Sequence, residues 1–212
     1  LPVRTISRSF LVALLLGALP ATAATIAVNT LADELNADGD CSLREALQAA
    51  NANAAVDACT AGTPGLDTVV LPAGTIPLSV TINVTDAVTV RGAGRASSTI
   101  QRGTSTAFNG TGIAGATLTL EDLALVGSIN AGGTQALAAM RVDFSGASGT
   151  FVNALNGDIA ISDCTLDGNG VNSLNGNIGI ANSTLTGDGV NSSGGTLALT
   201  NTAMTGGGDK TS

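Results

Sequence analysis

Histidine, tryptophan and tyrosine are absent from this chain, and phenylalanine occurs only as Phe10, Phe108, Phe144 and Phe151. Aromatic side chains supply much of the buried area of a compact globular core. Their scarcity excludes an ordinary core of that kind and also removes the aromatic platforms common in sugar-binding clefts. Basic residues are scarce as well, 8 against 16 acidic ones. Setting aside Arg4 and Arg8, which lie in the leader described below, leaves 6 basic residues and a net charge of −10. Nucleic acids and anionic membranes need clustered Lys and Arg, so neither is an expected partner. Long apolar runs are missing too. The one marked run, residues 10–19, is too short to span a bilayer.

That run reads as part of a targeting segment. Arg4 and Arg8 precede it, and Ala21-Thr22-Ala23 follows it with the small residues of a leader-peptidase site. Residues 1–23 are therefore expected to be a secretory signal, with the mature chain starting near Ala24. The expected location is extracellular or the outer cell surface, with no transmembrane segment in the mature chain.

What the chain does have is a repeat. Residues 155–173 read LNGDIAISDCTLDGNGVNS, and residues 174–192 read LNGNIGIANSTLTGDGVNS. One apolar position runs through Leu125, Phe144, Leu166, Leu185 and Met204, at steps of 19, 22, 19 and 19. A second runs in phase through Leu120, Ala139, Ile161, Ile180 and Leu199. A period near 20 residues marks a solenoid. A thin solenoid core, one side chain deep from each wall, can be built from Val, Ile, Leu and Ala. Within a repeat, Ile159 and Ile161 alternate with Ala160 and Ser162, and Asp163 marks a bend. Cys164, Leu166 and Val171 then point inward. Upstream, residues 78–90 and 116–126 read as earlier strands, and residues 103–115 read as an irregular stretch holding a loop. The fold class is all-β, a parallel β-helix with coils of 19–22 residues, occupying residues 78–212.

Residues 24–77 form a different module. Ser42 followed by Glu45 makes a capping box. Behind it, Leu43, Ala46, Leu47 and Ala50 form one narrow apolar stripe, which predicts an α-helix near residues 42–53. A β-helix ends in an open coil, and such a helix suits a plug. Cys41 and Cys59 close a short loop and are paired as a disulfide, worth about 3 kcal/mol on a chain-entropy view. Cys164 is left over as a small inward residue, at the slot of Ser183 and Thr202. Asn36, Asp38 and Asp40 alternate around Gly39 like calcium ligands, but lack the downstream bidentate Glu. Calcium is the one cofactor this pattern raises, and a solvated turn is the simpler reading.

Cys41-Ser42-Leu43-Arg44-Glu45-Ala46, with Asp38-Gly39-Asp40 before it and Ala50-Asn51 after it, resembles the N-terminal signature of the CSLREA-domain family. These are secreted or surface proteins, mostly bacterial. The phrases Leu66-Asp67-Thr68-Val69-Val70-Leu71-Pro72-Ala73-Gly74 and Val88-Thr89-Val90-Arg91-Gly92-Ala93-Gly94 extend the resemblance over residues 25–101. It implies a right-handed, pectin-lyase-like β-helix and no shared catalytic residues.

The bend places Asp122, Arg141, Asp163, Asn182 and Asn201 on successive rungs. Asp122, Arg141 and Asp163 are the catalytic candidates. Two carboxylates two rungs apart would stand about 9.6 Å apart at the backbone, near the upper spacing of an inverting glycosidase pair. Turn chemistry explains the same residues without catalysis. The expected function is a secreted or surface scaffold, adhesive or structural, meeting carbohydrate or a neighbouring surface. The alternatives are an incomplete polysaccharide lyase or glycoside hydrolase, and a surface binder built on Thr165, Thr184, Thr186 and Thr205. The tail after Met204, and Leu1 in place of Met, predict a truncated copy of a longer repeat protein. Its last coil, around Leu197, Leu199 and Met204, is then expected to self-associate end to end.

Overall fold

The computed structural model describes residues 23–212 apart from 113–114, 147–148, 169, 188, 207–209 and 212. The expected leader lies outside the described residues, except for Ala23. In chain order the elements are β1 (Thr25–Ala27), α1 (Leu43–Ala52), β2 (Asp67–Val70), β3 (Gly74–Pro77), β4 (Ile82–Val84), β5 (Val88–Arg91) and β6 (Ser98–Gly110). They continue as β7 (Thr117–Ala131), β8 (Ala136–Ser145), β9 (Val152–Ala154), β10 (Ile159–Ser162), β11 (Thr165–Asp167) and β12 (Val171–Ser173). The last are β13 (Ile178–Ala181), β14 (Thr184–Gly187), β15 (Val190–Ser192), β16 (Leu197–Thr200), β17 (Ala203–Gly206) and β18 (Lys210–Thr211).

Every pairing between these strands is parallel, and each coil supplies strand segments to three ladders. The first ladder stacks β1, β2, β5, the start of β7, the start of β8, β10, β13 and β16. The second runs β3, β6, β7, β8, β11, β14 and β17. The third runs β4, the end of β6, the end of β7, β9, β12, β15 and β18. The fold is thus a parallel β-solenoid, as the repeat predicts. Ile159, Ile161, Cys164, Leu166 and Val171 are all buried, so the inward reading of that repeat holds. Coils meet so closely that a Cβ on Gly176 would lie 2.0 Å from the Gly157 carbonyl oxygen, which explains the glycine of each LNG phrase.

Three details differ from the sequence reading. The stretch 78–90 holds two strands, β4 and β5, separated by a turn at residues 85–87. The stretch 103–115 is in part strand: β6 runs on to Gly110, with register shifts around Thr106 that absorb its extra residues. Buried Ala107 and Phe108 anchor it beyond the irregularity. The parallel ladders also extend upstream of Leu78, because β2 and β3 already pair with β5 and β6.

Helix α1 closes one end. Leu43, Ala46, Leu47, Ala49 and Ala50 are buried and belong to the same apolar cluster as Ile26, Val69 and Val84 of the first strands. Ser42 Oγ accepts from the Glu45 N–H at 3.2 Å, and Glu45 Oε2 accepts from the Ser42 N–H at 2.9 Å, completing the capping box. Asn53 ends the helix in the left-handed region at φ 51°. The Cys41–Cys59 disulfide is formed, with the Cα atoms 4.9 Å apart.

Candidate functional site

The bend ladder forms as its residue types require. Asp122, Arg141, Asp163, Asn182 and Asn201 all have φ between 47° and 55°. Asp and Asn tolerate this conformation better than most residues. The side chains are neighbours on successive rungs. Arg141 Nε and Nη2 donate to Asp122 Oδ1 and Oδ2 at 2.6 and 2.8 Å, a bidentate pair. Asn201 Nδ2 donates to Asn182 Oδ1 at 3.3 Å. The Asp163 carbonyl accepts from Arg95, whose other arm reaches Asp143 Oδ1 at 3.1 Å.

This geometry does not suit Asp122 as the acid of a glycosidase pair. An inverting glycosidase needs one carboxyl held protonated near neutral pH. The Arg141 hydrogen bonds instead hold the Asp122 carboxyl below its ordinary range. Arg141 is committed to that pair and is not presented as a free base. The threonine positions give no unbroken array either. Thr165 and Thr184 are followed by Ala203, and Thr186 and Thr205 are preceded by Asp167.

A longer polar ladder lies on the third sheet, on residues the sequence reading passed over. Asn109 Nδ2 donates to Asn83 Oδ1 at 3.0 Å, and Asn130 to Asn109 at 3.3 Å. Asn153 donates to Asn130 at 2.8 Å, Asn172 to Asn153 and Asn191 to Asn172, both at 2.7 Å. All five bonds run the same way along the solenoid, each amide donating to the one before it. The signal was present: each Asn is the middle residue of a strand triplet, as in VNA at 152–154 and VNS at 171–173 and 190–192. Its neighbours point inward, so the Asn must point out. A second rank follows at the next corner, with Asn177 on Asp158 and Thr196 on Asn177. Beyond these ranks, the outer face of the first ladder is a shallow apolar trough of about 410 Å³. It is lined by Thr119, Ala138, Met140, Ala160, Ala181 and Ala198 among others.

In the cap, the alternating acids do converge, but with different members. Glu34, Asp38 and Asp40 bring carboxylate oxygens within 4.8 Å of one another, as do Asp40, Glu45 and Asp57. Asn36 turns its Nδ2 toward Glu34 and its N–H toward Glu45, so it offers these acids donors. Partial burial and repulsion from neighbouring acids raise the Glu34 and Asp40 carboxyls above their ordinary range. Backbone N–H groups engage some of these oxygens, those of Asp38 and Gly39 holding Asp57 Oδ2 and those of Asn36 and Ser42 holding Glu45. Asp40 Oδ1, by contrast, is buried without a hydrogen-bond partner among the described residues. Calcium takes 6–8 oxygen ligands, and each of these groups brings three carboxylates together.

Cys164 is buried, and burial raises its thiol to about 11. Its Sγ accepts from the Val142 N–H at 3.4 Å and donates to the Ser162 carbonyl at 3.1 Å. In the next coil, Ser183 Oγ accepts from the Cys164 N–H and donates to the Ala181 carbonyl. The slot therefore takes a small hydrogen-bonding side chain that bridges two coils at the bend.

No protein-family model matches this chain, and neither does any curated protein or solved structure.

Proposed function

We propose that this chain is an exported surface scaffold, structural or adhesive, which acts through repeated contacts and not through catalysis. The amide ladder from Asn83 to Asn191 carries the reading. Each amide from Asn109 to Asn191 spends one N–H on its neighbour and keeps another donor and acceptor position for a partner. A row of such groups at strand spacing matches an extended, hydroxyl-rich partner such as a cell-surface polysaccharide.

Several observations support the setting. The Cys41–Cys59 disulfide suits an oxidising compartment. Among the described residues, no helix is long and apolar enough to cross a membrane. The helix capped by Ser42 and Glu45, followed by a parallel solenoid, agrees with the architecture that the CSLREA resemblance implies.

The test is a comparison on immobilised surface polysaccharides and on uronic-acid polymers. The protein should be retained and should turn over neither kind of substrate, with or without calcium. Replacing Asn130, Asn153 and Asn172 together by Ala should abolish retention while circular dichroism remains that of the β-solenoid. Clear turnover would favour the pectin-lyase-like enzyme reading, and undiminished retention would move the contact off the amide face.

A further inference from the structure

Asp67 is a carboxylate with 0 % exposure, at the start of the first full coil. Its oxygens accept from the Thr63 N–H and hydroxyl, and from the Ala24 N–H at 2.9 Å. None of the ion pairs among the described residues involves it. The pocket is tight: a Cβ on Gly62 would stand 2.6 Å from Asp67 Oδ2 and 2.7 Å from the Ala50 Cα of helix α1. A carboxylate enclosed in this way, without a cation, is costly to bury.

The backbone donor that reaches it belongs to Ala24. That residue is held from both sides, since its carbonyl also accepts from the Thr68 N–H at 2.8 Å. Immediately before it, Ala23 is exposed. Ala21-Thr22-Ala23 is the small-residue pattern that ends the leader, so the expected scissile bond is the one that joins Ala23 to Ala24. The sequence thus ends the leader at the residue before the one whose nitrogen touches the buried acid.

We propose that removal of the leader between Ala23 and Ala24 creates an α-ammonium that pairs with Asp67, so that processing itself completes the cap. The inference rests on the export reading above. The step is a hydrolysis by a leader peptidase. The bond from the Ala23 carbonyl carbon to the Ala24 nitrogen breaks, and one water is consumed. Its oxygen goes to the Ala23 carboxylate, and both of its protons go to the Ala24 nitrogen. An ordinary α-amino group titrates at about 7.7–8.0 and is mostly charged at neutral pH. Cleavage therefore replaces one neutral N–H with a cation, at the position where the acid has no counter-charge. The new end anchors β1, which stacks on β2 under the helix.

The experiment has two arms. Intact mass and N-terminal sequencing of the exported protein should find Ala24 first. Any other start, or a retained leader, overturns the processing step. In the second arm, the chain beginning at Ala24 is prepared with a removable tag, and half of it is acetylated at its N-terminus. The acetyl group takes the place Ala23 has in the precursor and keeps the Ala24 N–H donor, so it removes charge without adding a clash. Acetylation should lower the ratio of folded to unfolded protein about tenfold or more, read as a lower urea midpoint. In an Asp67→Asn background it should have no further effect. Equal midpoints for the acetylated and free chains would overturn the ion pair even if Ala24 proves to be the mature start. Neither result depends on whether the surface is adhesive.

Discussion

At the residue scale, this solenoid is held by a few positions that repeat one local solution. The left-handed bend is the clearest. Asp122, Arg141, Asp163, Asn182 and Asn201 share a backbone conformation although their charges differ. The bend breaks the strand ladder, and the Cys164, Ser183 and Thr202 slot restores hydrogen bonds across it. Cys164→Ser should therefore be nearly neutral, since Ser183 makes equivalent bonds one coil later. Cys164→Val should cost about 1–3 kcal/mol by leaving the buried Val142 N–H without its acceptor. Urea unfolding of the two variants checks this. The folded protein should also resist alkylation at neutral pH and yield one reactive thiol once unfolded, because burial holds the Cys164 thiol near 11. The bend ladder was legible in the sequence, because Asp and Asn at a fixed period state their own turn chemistry. The Asn83–Asn191 ladder was equally periodic but harder to see. An outward polar residue is the default expectation on a strand, and only the pairing reveals that these amides bond one another.

At the element scale, the cap is tied down by acids whose partners are distant in sequence. Asp33 accepts from Arg44 Nε and Nη2 on helix α1 at 2.9 and 2.6 Å. It also accepts from the Ser79 N–H and hydroxyl in the first coil at 2.6 and 2.5 Å. Burial opposes its ionisation, but the Ser79 hydrogen bonds and Arg44 outweigh burial, and its carboxyl lies below the ordinary range. The stabilisation from such a group is present above its unfolded value near 3.8 and is lost as pH falls through the lower folded value. Asp122 acts in the same direction, more weakly, because its pair with Arg141 is more exposed. Acid unfolding below pH 3.8 should therefore begin at the cap. Asp33→Asn should cost about 3 kcal/mol at pH 7 and flatten the acid limb of the stability curve. A variant with the wild-type acid limb would show that the cap is not anchored through this side chain. The capping box and apolar stripe of α1 could be read from the sequence because their partners lie within one helical turn. The Asp33–Ser79 tie could not, since 46 residues separate the two and no period links them. The second task of Glu45, holding the Asn36 N–H, was hidden for a related reason. A capping glutamate looks the same whether or not a loop folds back onto its other oxygen.

At the scale of the whole molecule, each coil packs mainly on its neighbours, although Arg95 reaches past β7 to Asp143 and the Asp163 carbonyl. Stability should therefore be distributed along the axis much like a stack of nearest-neighbour terms. The disulfide, the capped helix and the Asp33 tie reinforce the end at α1. Toward the other end, Leu197, Leu199 and Met204 pack against the core but are only partly buried, whereas Leu118, Leu125 and Leu166 are fully enclosed. The same substitution should consequently have different effects in different coils. Leu166→Ala opens a cavity between two well-packed coils and should cost about 3 kcal/mol. Leu199→Ala removes a side chain that water already reaches, and should cost about 1 kcal/mol. Hydrogen exchange should rank the coils in the same order, with β7, β8 and β10 opening only on global unfolding and β16 and β17 opening locally at lower free energy. If both substitutions cost the same and all coils exchange together, the solenoid unfolds as one cooperative block. The cap would then stabilise β16 as strongly as β2, and the nearest-neighbour description would not apply to this chain.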